Sequence, residues 1–239
     1  ADFTNIMNEC SKKIRREIMK KVAVALMLVC VGLTFFGCGQ STFDVVKANM
    51  SERTDVYYYG ENEDFYCALS SGQREEAYKL DGKNGKCVDF ALLSLTFGQT
   101  ELASIIKVEV SIDGNKTEQE LELNTLNNAY MVDLEQKLTG DETIEITYQD
   151  VTLTLENISK NFGVNSDEAL EIATQELGDK ITAKKNYQGL NAECYLRVMD
   201  KRANNFDGVF WCFTVLNVDN EQFSIIISTE NGEILAKSN

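Results

Sequence analysis

The chain has 239 residues, room for one or two domains, and 44% of them are apolar, so it can build a hydrophobic core. Its formal charge is −15, and residues 38–239 alone hold 35 acidic against 17 basic side chains; that balance excludes a nucleic-acid partner and a polybasic grip on anionic lipid, both of which need basic patches. There is no histidine, which closes Ser-His-Asp and Cys-His nucleophilic designs and His-ligated zinc, and no proline, so turns must rest on Gly, Asn and Asp. No cofactor motif is present and no cofactor is expected.

Lys20 and Lys21 precede an apolar run from Val22 to Phe36, followed by Gly37-Cys38-Gly39-Gln40-Ser41. Basic start, apolar stretch, then a small residue at the cut is the order of a secretory signal. The run is also shorter than the roughly 20 residues that span a bilayer. These residues resemble the bacterial lipoprotein signal, whose lipobox ends in a small residue followed by a cysteine. Gly37 and Cys38 match it, while Phe35 and Phe36 stand where a leucine and a small residue are commoner. The resemblance implies cleavage between Gly37 and Cys38, a diacylglyceryl group on Cys38, and a lipid anchor holding the protein on the extracytoplasmic face of the cell membrane. Met19 reads as the natural initiator. Residues 1–37 are therefore expected to be an upstream extension and signal peptide, and residues 38–50 a lipidated cysteine with a polar tether.

Residues 51–158 read as a β-rich domain. Val56-Tyr57-Tyr58-Tyr59 and Asp64 to Leu69 are aromatic and β-prone, with Gly60-Glu61-Asn62-Glu63 as the turn between them. Val88 to Phe97 forms another apolar run. Ile106, Val108, Val110 and Ile112 alternate with polar residues, Asp113-Gly114-Asn115 turns the chain, and residues 118–123 alternate again, the signature of a hairpin. Ile144, Ile146 and Tyr148, then Val151, Leu153 and Leu155, repeat the period of two. Several short strands with such turns predict an antiparallel β-sandwich or barrel.

The pattern changes near Asn161. Ser166 reads as a helix N-cap, Asp167 and Glu168 suit the positive end, and Leu170, Ile172, Ala173 and Leu177 line one face before Gly178. Strands are predicted over Cys194–Val198, Val209–Val218, Phe223–Ser228 and Ile234–Lys237. The helix from Ser166 to Ala173, the strand from Phe210 to Val215 and the closing Ile225–Leu235 segment with its Asn231-Gly232 turn resemble the PepSY family of small extracytoplasmic domains. The resemblance covers residues 160–239 and implies a helix on an antiparallel sheet, acting as a non-catalytic module that restrains peptidases or binds partners. The expected fold class is thus α+β and mostly β.

With Cys38 assigned to lipid, Cys67, Cys87, Cys194 and Cys212 remain. Export to an oxidising compartment permits disulfides, and four cysteines allow three pairings. Cys194 with Cys212 and Cys67 with Cys87 are the candidate bridges, and free buried thiols the alternative. No Cys-x-x-Cys pair suggests zinc. Asp81-Gly82-Lys83-Asn84-Gly85 reads as an ordinary turn, since Lys83 stands where a calcium loop needs an oxygen ligand. No metal site is expected. Glu75 with Glu76, and Glu171 with Glu176, are carboxylate pairs of the kind glycosidic chemistry uses, although solvated surface glutamates account for them as well. Tyr57, Tyr58, Tyr59, Phe65 and Tyr66 are the candidate aromatic face for a sugar or a partner; alternation puts Tyr57 and Tyr59 on one side of a strand and Tyr58 on the other, so at least half of the five must fill the core. No catalytic residue is expected. The leading functional expectation is a membrane-anchored binding or regulatory module with an envelope protein or peptide as partner. A histidine-free cell-envelope hydrolase and a structural envelope component are the alternatives.

Overall fold

The computed structural model describes residues 41–76, 85–98, 103–186, 189–200, 208–219 and 221–238. Helix α1 (Thr42–Lys47) leads into β1 (Met50–Glu61), β2 (Phe65–Glu75) and β3 (Cys87–Phe97). Strands β4 (Ile105–Ile112), β5 (Asn115–Asn124), β6 (Ala129–Asp133), β7 (Ile144–Tyr148) and β8 (Val151–Asn157) follow. A 3-10 turn (Ile158–Asn161), α2 (Ser166–Glu176) and α3 (Gly178–Ala183) come next. The chain ends with the short pair β9 (Lys185–Asn186) and β10 (Gly189–Leu190), then β11 (Ala192–Asp200), β12 (Val209–Asn217), β13 (Gln222–Ser228) and β14 (Ile234–Ser238). The protein is mostly β. Among the described residues no helix is long and apolar enough to cross a membrane.

The first eight strands close into a ring in the order β1-β2-β3-β6-β5-β4-β7-β8, every neighbour antiparallel. The seam closes where Tyr58 and Tyr59 of β1 meet Asn157 and Glu156 of β8. The period-two pattern drives this: one face of each strand is apolar and turns inward. Val56 and Tyr58, Phe65, Cys67 and Leu69, Ala91, Leu93 and Leu95, and Val108 and Val110 are all buried in one cluster. An eight-stranded barrel is just wide enough for such side chains to fill. The β4–β5 turn has positive φ at both Asp113 (51°) and Gly114 (80°), which matches the right-handed twist of a two-residue hairpin.

The connection from β6 to β7 stoppers one end of the barrel. Leu138 is buried in the barrel cluster, and its N–H donates to Ser71 Oγ at 2.9 Å. Glu142 holds the same loop from within. Its carboxylate accepts from the Thr139 N–H (2.7 Å) and hydroxyl (2.8 Å), the Gly140 N–H (2.9 Å) and the Tyr58 hydroxyl (2.9 Å). Burial pushes this carboxyl up, but the hydrogen bonds from Thr139, its own backbone N–H and Tyr58 outweigh burial and hold it at about 2.

A second hydrophobic cluster lies between the helices and the antiparallel run β11-β12-β13-β14. Ala169, Leu170, Ala173 and Leu177 share one helical stripe. They face Leu196 of β11, Trp211, Phe213 and Val215 of β12, and Ile225 and Ile227 of β13. The buried Trp211 indole donates to the Val164 carbonyl at 2.8 Å and meets Phe162 edge-on at 5.7 Å.

The two clusters share strand β1. Its opening residues pair in parallel with β11, Met50 with Cys194 and Arg53 with Leu196, while its later residues belong to the barrel. A register shift between Thr54 and Val56 marks the change. Opposite this bulge Gly72 lies so close that a Cβ would stand 1.9 Å from the Arg53 carbonyl oxygen, so only glycine fits. Charged groups gather at the same place. Arg53 reaches Asp55 (2.8 Å), Asp167 (2.8 Å) and the Ser166 hydroxyl (2.8 Å), and Lys47 also meets Asp167 (2.9 Å).

Two local expectations are corrected. Residues 41–50, expected as tether, instead form α1 and the first residue of β1; a Ser41–Asp44 capping box starts the helix, and Val46 is 0% exposed against the helix–sheet cluster. Asn165, not Ser166, caps α2, because Asn165 is the extended residue that accepts the Glu168 N–H at 3.0 Å. Ser166 is left free to bond Arg53. Helix α2 ends at Glu176 with Leu177 as its C-cap, just before Gly178 as expected, and Gly178 then opens the separate helix α3.

Two measurements check this architecture. Val46→Ala will cost about 2 kcal/mol in urea unfolding, the loss expected for two buried methyl groups and their cavity, whereas truncation in a tether would change stability by less than about 0.5 kcal/mol. The depressed Glu142 carboxyl contributes stability above its ordinary value of 4.5, and loses it as pH falls through about 2. Glu142→Gln should therefore be less stable than the parent at pH 7 by about 1–2 kcal/mol, allowing for solvent screening, and the two unfolding curves should converge between these limits.

Candidate functional site: a groove on the outer wall of the barrel

The inward set of each barrel strand leaves a complementary outward set, and on β1, β2, β3 and β6 that set forms a groove of about 230 Å³. Register builds it row by row. Tyr57 lies opposite Ser70 and Ser70 opposite Leu92; Ala68 lies opposite Ser94 and Ser94 opposite Met131; Tyr66 lies opposite Thr96. Small residues on the two central strands make a low floor, with Tyr57, Tyr66 and Met131 along it and Val198, Met199 and Asp200 at the end of β11. Met131 is held by the side-chain amides of Asn124 (3.6 Å) and Asn127 (3.7 Å).

The polar groups have defined positions. The Tyr57 hydroxyl donates to Asp200 Oδ2 at 2.9 Å, and both residues are buried, so this bond ties the barrel wall to β11 at the groove. The Tyr57 N–H donates to Ser159 Oγ at 3.2 Å, fixing β1 against the 3-10 turn. Thr96 Oγ1 is buried and has no hydrogen-bond partner among the described residues. The groove thus offers aromatic and thioether surface beside hydroxyl and amide groups, a combination that suits a short length of polypeptide: apolar contact for one side chain and hydrogen bonds for main-chain amides.

Alternation separated Tyr57 and Tyr59 from Tyr58; the sides of Phe65 and Tyr66 come from the structure alone. Tyr58 and Phe65 are in the barrel core, while Tyr57 and Tyr66 line the groove. Tyr59 lies on the outer face as well, its hydroxyl bonded to Glu61, but it is not part of the groove wall. Sequence reasoning missed Ser70, Ser94, Thr96, Met131 and the end of β11. Ala68 with Ser70, and Ser94 with Thr96, do carry a signal, small residues at alternate outward places, yet only the strand register sets them side by side.

Neither candidate disulfide is brought together, and none of the four described cysteines is in a disulfide. Cys194 lies opposite Val215 and Cys212 opposite Arg197, three rows apart. They also face opposite ways, Cys194 into the helix–sheet cluster and Cys212 toward Thr214 Oγ1 on the other side. Cys67 and Cys87 sit at the two ends of the β2–β3 ladder, opposite Leu95 and Glu75. That is a separation of about 26 Å along the strands, against the ~7 Å limit for a bridge. Burial, and then the Glu193 charge, push the Cys194 thiol up; burial, and then Glu75, raise Cys87. Neither is an activated nucleophile.

The carboxylate pairs are otherwise engaged. Glu75 is buried and accepts the Gly85 N–H, whereas Glu76 pairs with Lys86 at 3.1 Å. Glu171 accepts from the Gln175 amide at 3.3 Å and Glu176 pairs with Lys237. Among the described residues no group of three or more Cys, Asp or Glu side chains is placed to hold a metal ion. Gly37, Cys38 and residues 81–84 lie outside the described residues.

The protein, unfolded without reductant, should expose Cys67, Cys87, Cys194 and Cys212 all as thiols; under native conditions an alkylating reagent should reach Cys87 far faster than Cys67 or Cys194. A mass two hydrogens lighter, reversed by reductant, would mean that a bridge forms. No family model matches the chain, and neither a curated protein nor a solved structure matches it.

Proposed function

We propose that this chain is an exported lipoprotein, held by a diacylglyceryl group on Cys38 at the extracytoplasmic face of the membrane, and that it acts as a non-catalytic binding module for an envelope protein or peptide. The groove over Ala68, Ser70, Ser94 and Thr96 is the observation that carries the binding role. Its floor is made of side chains too short to fill it, its walls are aromatic and thioether groups, and Asp200, the lining carboxylate among the described residues, accepts the Tyr57 hydroxyl. A partner presenting an extended segment with one apolar side chain meets both kinds of surface there. The lipid anchor rests on Gly37-Cys38 following the basic start and apolar run. The strongly acidic body adds no attraction to anionic lipid, so attachment falls to the two acyl chains.

In the same reading α2 and β11–β14 form a PepSY-like module. Its support is the packing of α2 on the antiparallel strands through Leu170, Ala173, Trp211 and Phe213. The groove lies where the last residues of β11 reach the barrel, so a partner bound there touches both parts.

A photoreactive phenylalanine in place of Tyr66, in the lipidated protein in its own cells, should cross-link to a discrete partner. The same residue in place of Glu118, on an exposed part of β5, should not. Ser94→Trp, which fills the floor, should abolish the adduct while leaving the unfolding midpoint near that of the parent. Equal labelling at residues 66 and 118, or adducts that survive Ser94→Trp, would remove the groove from the proposal.

A further inference from the structure

Ser41 is already part of the folded body. Its hydroxyl accepts the Asp44 N–H at 3.1 Å, the Asp44 carboxylate closes the capping box, and two residues after Asp44 the fully buried Val46 locks α1 into the helix–sheet cluster. Only Gly39 and Gln40 separate Cys38 from this fixed point. Three Cα steps reach no farther than about 11 Å. A lipid on Cys38 therefore holds Ser41 next to the headgroups. The surface around Ser41 is a shallow depression between the three helices, lined by Phe43, Glu171, Gln175, Asp179 and Thr182.

Charge is distributed to match. Residues 51–158 hold 22 acidic and 8 basic side chains, residues 159–239 hold 12 and 8, and residues 38–50 hold one of each. Most of the repulsion from an anionic bilayer thus acts on the barrel. Strand β1 leads away from α1 for eleven steps, up to about 36 Å. It ends at a hairpin carrying Glu61, Glu63 and Asp64.

From these we infer that the helical face around Ser41 lies against the lipid bilayer and that the barrel points away from it, an orientation that rests on the lipid anchor at Cys38 proposed above. The bilayer surface is the occupant of this face. The short link supplies the proximity and the acidic barrel supplies the direction, so the face itself needs no basic patch.

The test uses the lipidated chain in vesicles of phosphatidylcholine and phosphatidylglycerol doped with a nitroxide-headgroup lipid. In a Cys87→Ser background, one fluorophore is placed at Gln175→Cys and, in a second protein, at Glu63→Cys. The label at 175 should be quenched and the label at 63 should not, a difference of roughly twofold or more given the separation along β1. A long Gly-Ser insertion between Gln40 and Ser41 should release the quenching at 175 while the protein still floats with the vesicles. A protein that floats with both labels equally bright, or equally quenched, overturns the orientation and leaves the anchor standing. A protein that does not float overturns the anchor, and the orientation with it.

Discussion

Strand β1 is the constraint on which the rest of this fold depends. Its first residues lie beside β11 in parallel, its middle pairs with β2, and Tyr58 and Tyr59 close the barrel against β8. Paired with β2 along most of its length, and on its other edge with β11 at its start and β8 farther on, it takes backbone partners from three other strands. Moving it by one residue would turn Val56 and Tyr58 out of the barrel core and carry Met50 off the helix–sheet cluster. Two hydrophobic cores are thereby held in one register. The bulge after Thr54 and the bare Cα of Gly72 opposite it are the local devices that let one strand serve both.

The polar groups around β1 reinforce the same junction. Arg53 draws together Asp55, Ser166 and Asp167, the Ser51 hydroxyl donates to the fully buried Glu193, and the Tyr57–Asp200 bond fixes the end of β11 against the barrel wall. The groove is a by-product of this arrangement. Where β11 stops against the outer face of β1, β2, β3 and β6, the small side chains of those strands are left below the level of their neighbours. Binding surface and fold are therefore coupled: what locates the groove is the pairing that joins the two cores.

Much of the architecture was legible in the sequence because it is local. The β4–β5 hairpin shows itself in alternating Ile106, Val108 and Val110 and in Asp113-Gly114. Strands β7 and β8 and helix α2 with its apolar stripe are likewise written in period and punctuation. The unread parts are those set by distant partners. Strand β6 is only five residues long and, although Asn127 and Asn128 turn the chain before it, it has no period of two to announce it; it exists because β3 and β5 leave a place between them. Helix α1 is only six residues long and is stable because Val46 is buried by residues more than a hundred positions away. The closure of β8 on β1 and the parallel contact of β1 with β11 have no local signature at all. The same holds for the candidate disulfides, where neighbouring strands were foreseen but not the register that separates the sulfurs, and for the groove, whose tyrosines were foreseen but not its floor.

The placement of β1 also sets an order of events. It is the first strand of the body to be made, yet its partners on the far side are β8, about a hundred residues later, and β11, later still. Synthesised N-terminus first, the chain can form β1–β2–β3 early, but this sheet keeps an open edge and an uncovered apolar face until β8 and then β11 arrive. The most aromatic part of the molecule therefore spends longest in wait, exposed to whatever else can pair with it, and the last third of the chain does more than add a small domain. It relieves the first strand of its vulnerability.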